Sequence, residues 1–97
     1  MITITMHRDK KHRYTGFTIS GHADYDEAGS DIVCAAVSAL SQTALLGLMQ
    51  YASQDVPYEV NDGFLSVQVP KPCEASQIIL GTMVAGLEQI VRQYGEY

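Results

Sequence analysis

Apolar and polar residues alternate from the start of the chain: Ile2, Ile4 and Met6 are separated by Thr3, Thr5 and His7, and Tyr14, Phe17 and Ile19 then stand among Thr and Ser over 13–20. A period of two predicts half-buried strands, and the charged Asp9-Lys10-Lys11-His12 segment between them predicts a turn, so the chain opens with a hairpin. From Asp31 to about Tyr51 the period lengthens. Val33, Val37, Leu40, Ala44, Leu48 and Tyr51 recur every three or four residues, which predicts a long helix, with Ser30 as its N-cap and Asp31 in the first turn beside the positive helix end. Alternation returns over 57–61 and 64–69, two strands joined through Asp62-Gly63. Beyond Pro70 and Pro72, the residues Ile79, Met83, Val84, Leu87, Ile90, Val91 and Tyr94 mark a second helix over 74–93.

The expected order is therefore ββαββα, an α+β fold in which two long helices pack on an antiparallel or mixed sheet, with residues 1–97 forming a single domain. The two halves share an order of elements and no residue-by-residue repeat. The first helix carries Ile32, Ala35, Ala36, Ala39, Leu45, Leu46 and Met49 outside its main stripe. A helix apolar on more than one face needs cover on both sides, so a homodimer is expected.

Composition narrows the class. Hydrophobic residues make up 46% and charged residues 18% of the chain, so a packed globule is expected rather than a disordered segment. A net charge of −5 speaks against nucleic acid as a direct partner, since phosphate binding requires clustered Lys and Arg. The apolar run over 32–49 is interrupted by Ser38, Ser41, Gln42, Thr43 and Gly47 and reads as a buried helix, not a membrane span. No basic leader precedes an apolar segment at the N-terminus, which predicts a cytoplasmic protein without a membrane partner. In that compartment Cys34 and Cys73 should be thiols.

Cys34 falls in the first turn of the predicted helix, where unpaired N–H groups and the positive dipole end favour a thiolate and can receive an oxyanion. Position alone leaves two readings, a nucleophile or a small buried hydrophobe. His22 follows Gly21 at the end of a predicted strand and supplies an imidazole able to take and return a proton; its alternative is an exposed loop histidine. His7 and His12 are expected to face solvent. The acids Asp24, Asp26 and Glu27 do not make an EF-hand, because Ala28 and Ala35 occupy ligand positions, and a solvated acidic loop explains them better than a metal site. No cofactor is expected. Gly21 and Gly29 bracket this loop, either as hinges for closure over a peptide or to satisfy positive φ. Cys73 belongs to no motif, and a structural role is expected for it.

Gly21-His22-Ala23 followed by the run from Gly29 to Ser38, GSDIVCAAVS, resembles the defining motif of the ribosomal-processing cysteine protease family, Prp. The spacing of His22 and Cys34 matches, and the likeness extends over the whole chain. The resemblance implies a cytoplasmic, homodimeric endopeptidase that removes the amino-terminal extension from the precursor of large-subunit ribosomal protein number twenty-seven. Transferred to the matching positions, it makes Cys34 the nucleophile and His22 the general base and acid. Asp31 then orients His22 or serves only as a helix-start acid, and Ser38 assists catalysis or bonds to its own helix backbone, the latter being preferred. Two other functions compete. One is a non-catalytic peptide-binding module of ribosome assembly, and the other is a metal-dependent hydrolase built on His22 and the acids.

Overall fold

The alternating segments at the start of the chain form β1 (Ile2–Arg8) and β2 (Tyr14–Gly21), followed by α1 (Ser30–Tyr51), β3 (Tyr58–Asn61), β4 (Phe64–Gln68) and α2 (Glu74–Tyr94). The computed structural model of the chain describes residues 2–21, 30–52 and 55–94. The element order expected from the sequence is the one observed.

The first turn is built by Asp9. Its Oδ1 accepts the N–H groups of Lys11 (2.9 Å) and Arg13 (3.0 Å), and its Oδ2 accepts Arg13 Nε at 2.9 Å. The side chain thus mimics a backbone turn while His12 takes φ 63° at the tip. These bonds, the Arg13 N–H first, hold the Asp9 carboxyl below its ordinary pKa.

All strand pairs are antiparallel, in the order β1-β2-β4-β3. Directly opposed residues share a face, so the register makes two rows across the sheet: Met6–Phe17–Val67–Tyr58 and Ile4–Ile19–Leu65–Val60. The central members of each row are buried, and both helices cover this face. The opposite face carries Thr3, Thr5, His7, Thr18 and Ser20, with His7 Nε2 in a 3.0 Å hydrogen bond to Thr18 Oγ1. His7 therefore lies away from the helices, as the alternation predicts.

Over the sheet, α1 buries Val33, Val37, Ala44, Leu45 and Leu48, and α2 buries Leu80, Met83 and Leu87. Complete burial of Phe17, Val67, Leu48 and Leu80 contributes about 1.5–3 kcal/mol for each side chain. The helices meet where glycine leaves room: a methyl at Gly86 would lie 3.1 Å from Leu40 Cδ1, and Gly47 faces Ile79. Gln77 fastens α2 to the sheet by accepting the Tyr14 N–H at 2.7 Å and donating to the Tyr14 carbonyl at 2.9 Å.

Three side chains depart from the sequence pattern. Tyr51, assigned to the core stripe of α1, is exposed in the last position of the helix. Leu80, outside the predicted stripe of α2, is fully buried, and Val91 within that stripe is exposed. The inward stripe of α2 is carried by Leu80, Met83 and Leu87, turned by one position from the expected one.

Candidate active site

The N-terminal half of α1 roofs a cavity of about 200 Å³ at one end of the sheet. Cys34, Val37, Ser38, Ser41 and Gln42 line it from the helix, and Ile19 and Gly21 line it from β2. Val60 and Asn61 of β3, the turn residue Gly63, and Phe64 and Leu65 of β4 close the other side. The volume is below the ~300–1,000 Å³ usual for a drug-sized ligand and suits one or two side chains of a larger molecule.

Each wall follows from local sequence. Gly21 ends β2 at φ 91°, a conformation that favours glycine, and its N–H donates to the Gly63 carbonyl at 2.8 Å. Gly63 takes φ 72° at the second position of the two-residue Asp62-Gly63 turn, a conformation that favours glycine. One hydrogen bond thereby ties the end of β2, whose Gly21 lines the cavity, to the second hairpin.

The helix begins at Ser30, so Cys34 is its fifth residue. In an α-helix the unbonded N–H groups belong to the first positions, and Cys34 lies just beyond them. They precede Cys34 by one turn, on the side toward which a helical side chain leans, as the sequence reading requires. Cys34 is half-buried against the cavity, and Asp31 is the second residue of the helix.

Ser38 lies one turn beyond Cys34 on the same face. Ser38 Oγ accepts Gln42 Nε2 at 2.8 Å. Buried Ser41 bonds to the helix backbone, its Oγ donating to the Val37 carbonyl at 2.8 Å and the Ser38 carbonyl at 3.2 Å. Gln42 escaped the sequence reading. The repeat of polar residues at 34, 38 and 42 was the available signal, because positions four apart stack on one helix face. The contribution of the second hairpin was also missed, since strand register is needed to bring Val60, Asn61 and Phe64 to this end of the sheet.

Among the expected site residues, the structure brings Gly21, Cys34 and Ser38 to one cavity. His22, Gly29, Asp24, Asp26 and Glu27 lie outside the described residues, as does the loop over 23–28. Among the described residues, no group of three His, Cys, Asp or Glu side chains could hold a metal ion. Cys73 does not line the cavity and immediately precedes α2. Its N–H donates to Ser76 Oγ at 2.9 Å, while its sulfur receives the Ser76 N–H at 3.5 Å. This reciprocal cap gives Cys73 a structural role.

The family model described as cysteine protease Prp matches residues 1–97. The ribosomal processing cysteine protease Prp of Staphylococcus aureus is 35% identical over 100 residues, covering 99% of this chain and 93% of the relative. Two crystal structures of the S. aureus protease, described as an essential ribosomal processing protease, are similar in fold. One, with a covalently linked product peptide, superposes with a TM-score of 0.87 at 30% identity over 99% of this chain and 93% of that one. The other, with a substrate peptide, gives 0.85 at 27% identity over the same shares. With its fold and its full-length match in agreement, this chain belongs to the Prp family of cysteine proteases.

Proposed function

We propose that the chain is a cytoplasmic endopeptidase that removes the amino-terminal extension from the precursor of large-subunit ribosomal protein number twenty-seven, with Cys34 as nucleophile and His22 as general base and acid. The observation that carries the reading is the placement of Cys34 in a cavity sized for peptide side chains, beside the end of the strand that leads into His22. The solved S. aureus relative with a covalently linked product peptide supports nucleophilic chemistry on a peptide carbonyl.

In this mechanism His22 accepts the Cys34 proton, and the sulfur forms a bond to the scissile carbonyl carbon. The carbonyl electron pair moves onto oxygen. Collapse of this intermediate breaks the C–N bond, and His22 gives its proton to the departing amine. Water, deprotonated by His22, then attacks the thioester, releasing the new carboxylate and returning the thiol. Asp31 orients His22 from the first turn of α1. The enzyme works as a homodimer, joined through the exposed apolar face of α1.

The test is cleavage of a peptide spanning the extension and the residues that follow it. Cys34→Ala and alkylation of Cys34 should abolish cleavage and leave the melting temperature within a few degrees, because alanine is a strong helix former. Retained peptide binding by an unmodified wild-type protein that never cleaves would favour the binding module. Loss of cleavage on chelation would favour the metal hydrolase.

A further inference from the structure

Resting on that reading, we propose that the substrate peptide docks as an added strand on the open edge of β3, its backbone paired with Tyr58 and Val60 and one side chain directed into the Cys34 cavity. The two sheet edges differ. At β1 the pairing shifts register between His7 and Arg8, and the strand carries both of these residues, features that discourage further pairing. The four-residue β3 has a regular register with β4, no lysine and no interior proline. It also places two residues, Val60 and Asn61, in the cavity wall, whereas β1 contributes only Ile2.

The register determines which backbone groups this edge offers. Asn61 and Phe64 close the two-residue turn, so theirs is a hydrogen-bonded pair, as is Glu59 with Ser66 one period further on. The Gln68 N–H to Pro57 carbonyl bond of 2.9 Å continues the alternation. The intervening residues, Tyr58 and Val60, consequently direct their N–H and C=O groups away from β4. Two donors and two acceptors, spaced for one closely bonded strand partner, thus lie beside the cavity.

Side chains give the same orientation. Tyr58 and Val60 stand opposite core residues Val67 and Leu65, on the helix side of the sheet, yet are 55% and 56% exposed. Neither helix buries them. A peptide residue opposite Val60 would share this face, covering Val60 and entering the cavity between β3 and the Ser38–Gln42 side of α1. Its two neighbours would point to the polar face. The occupant is therefore an extended peptide with an apolar side chain opposite Val60 and tolerance on either side of it.

The experiment compares Tyr58→Pro with Tyr58→Ala. Proline removes the outward N–H, and an edge position whose N–H faces solvent accepts it within a strand; alanine keeps the N–H and removes the ring. With the extension-spanning peptide as probe, Tyr58→Pro should raise KM about tenfold above that of Tyr58→Ala. As a measurement independent of any variant's folding, N-methylation along the peptide should weaken binding to Cys34→Ala protein at every second residue. Equal KM for the two Tyr58 variants, together with N-methylation effects lacking a two-residue period, would overturn the proposal. If wild-type protein binds the peptide with that period and does not cut it, strand docking stands and the protease reading falls.

Discussion

Gln42 Nε2 donates a hydrogen bond to Ser38 Oγ at 2.8 Å, on the same helix face as Cys34 and against the same cavity. A serine hydroxyl has one proton and two lone pairs, so accepting from Gln42 leaves the Ser38 proton for another acceptor. Ser38 lies one turn beyond Cys34 on the same face, so its proton is expected to serve the sulfur or the developing oxyanion. Gln42→Met, similar in length and without the donor, should lower kcat/KM about tenfold. Gln42→Glu should cost more, because a carboxylate recruits the Ser38 proton. In a Ser38→Ala background, Gln42→Met should cause little further loss, since both changes remove one device. Fully additive losses would show that Gln42 acts independently of Ser38.

Cys73 caps α2 with a weak acceptor, its sulfur receiving the Ser76 N–H at 3.5 Å. Oxygen makes a better cap, so Cys73→Ser should raise stability by about 0.5 kcal/mol and the melting temperature by a few degrees, while Cys73→Ala should lower stability by about 0.5–1 kcal/mol. Thermal melts of the two variants provide the comparison. Cleavage by Cys73→Ser should match wild type; its abolition would move the nucleophile away from Cys34.

Asp9 makes the first turn pH-dependent. Its carboxyl is held below its ordinary value of 3.8 chiefly by the Arg13 N–H, with the Arg13 side chain and the Lys11 N–H adding to the effect. A depressed folded-state pKa means that the stabilisation is present above the unfolded value and fades as pH falls through the folded one. Wild type should therefore lose melting temperature more steeply below pH 3.8 than Asp9→Asn does, and the two curves should converge at the acid end. Parallel curves down to the lowest pH would show that the ionised carboxylate contributes nothing to folding.

The strands, helices and their order were legible because each element has a clear period and the turns carry Asp9 or Asp62-Gly63. The cavity was less so. Cys34 and Ser38 could be placed on one helix face by spacing, but Val60, Asn61 and Phe64 reach it only through the β2–β4 pairing, a relationship between segments more than forty residues apart. Leu80 and Tyr51 show a second limit: periodicity gives a helix its apolar face, whereas the neighbouring elements decide which part of that face is covered. Leu80 is fully buried and Tyr51 exposed, although both are apolar residues in helices of nearly equal length.

The same uneven coverage underlies the expected dimer. Ile32 and Leu46 are 62% and 64% exposed, and exposed Ala35 and Ala39 lie between them on the outer face of α1, opposite Val37, Ala44 and Leu48. Ile32 and Leu46 are separated by about 21 Å along the axis at 1.5 Å per residue. Small residues in the middle allow two helices to approach closely while the large residues at the ends interlock, and a twofold axis through the centre would pair the patch with itself. Wild type should sediment as a dimer at micromolar concentration. Leu46→Glu, which places charge in the patch without touching the core, should shift it toward monomer and leave the circular dichroism spectrum unchanged. The cavity face, carrying Cys34, Ser38 and Gln42, lies to one side of this patch, so the monomeric variant should still react with a thiol-directed reagent at Cys34. A wild-type protein that remains monomeric at every concentration, or a Leu46→Glu protein that remains dimeric, would exclude this face as the interface.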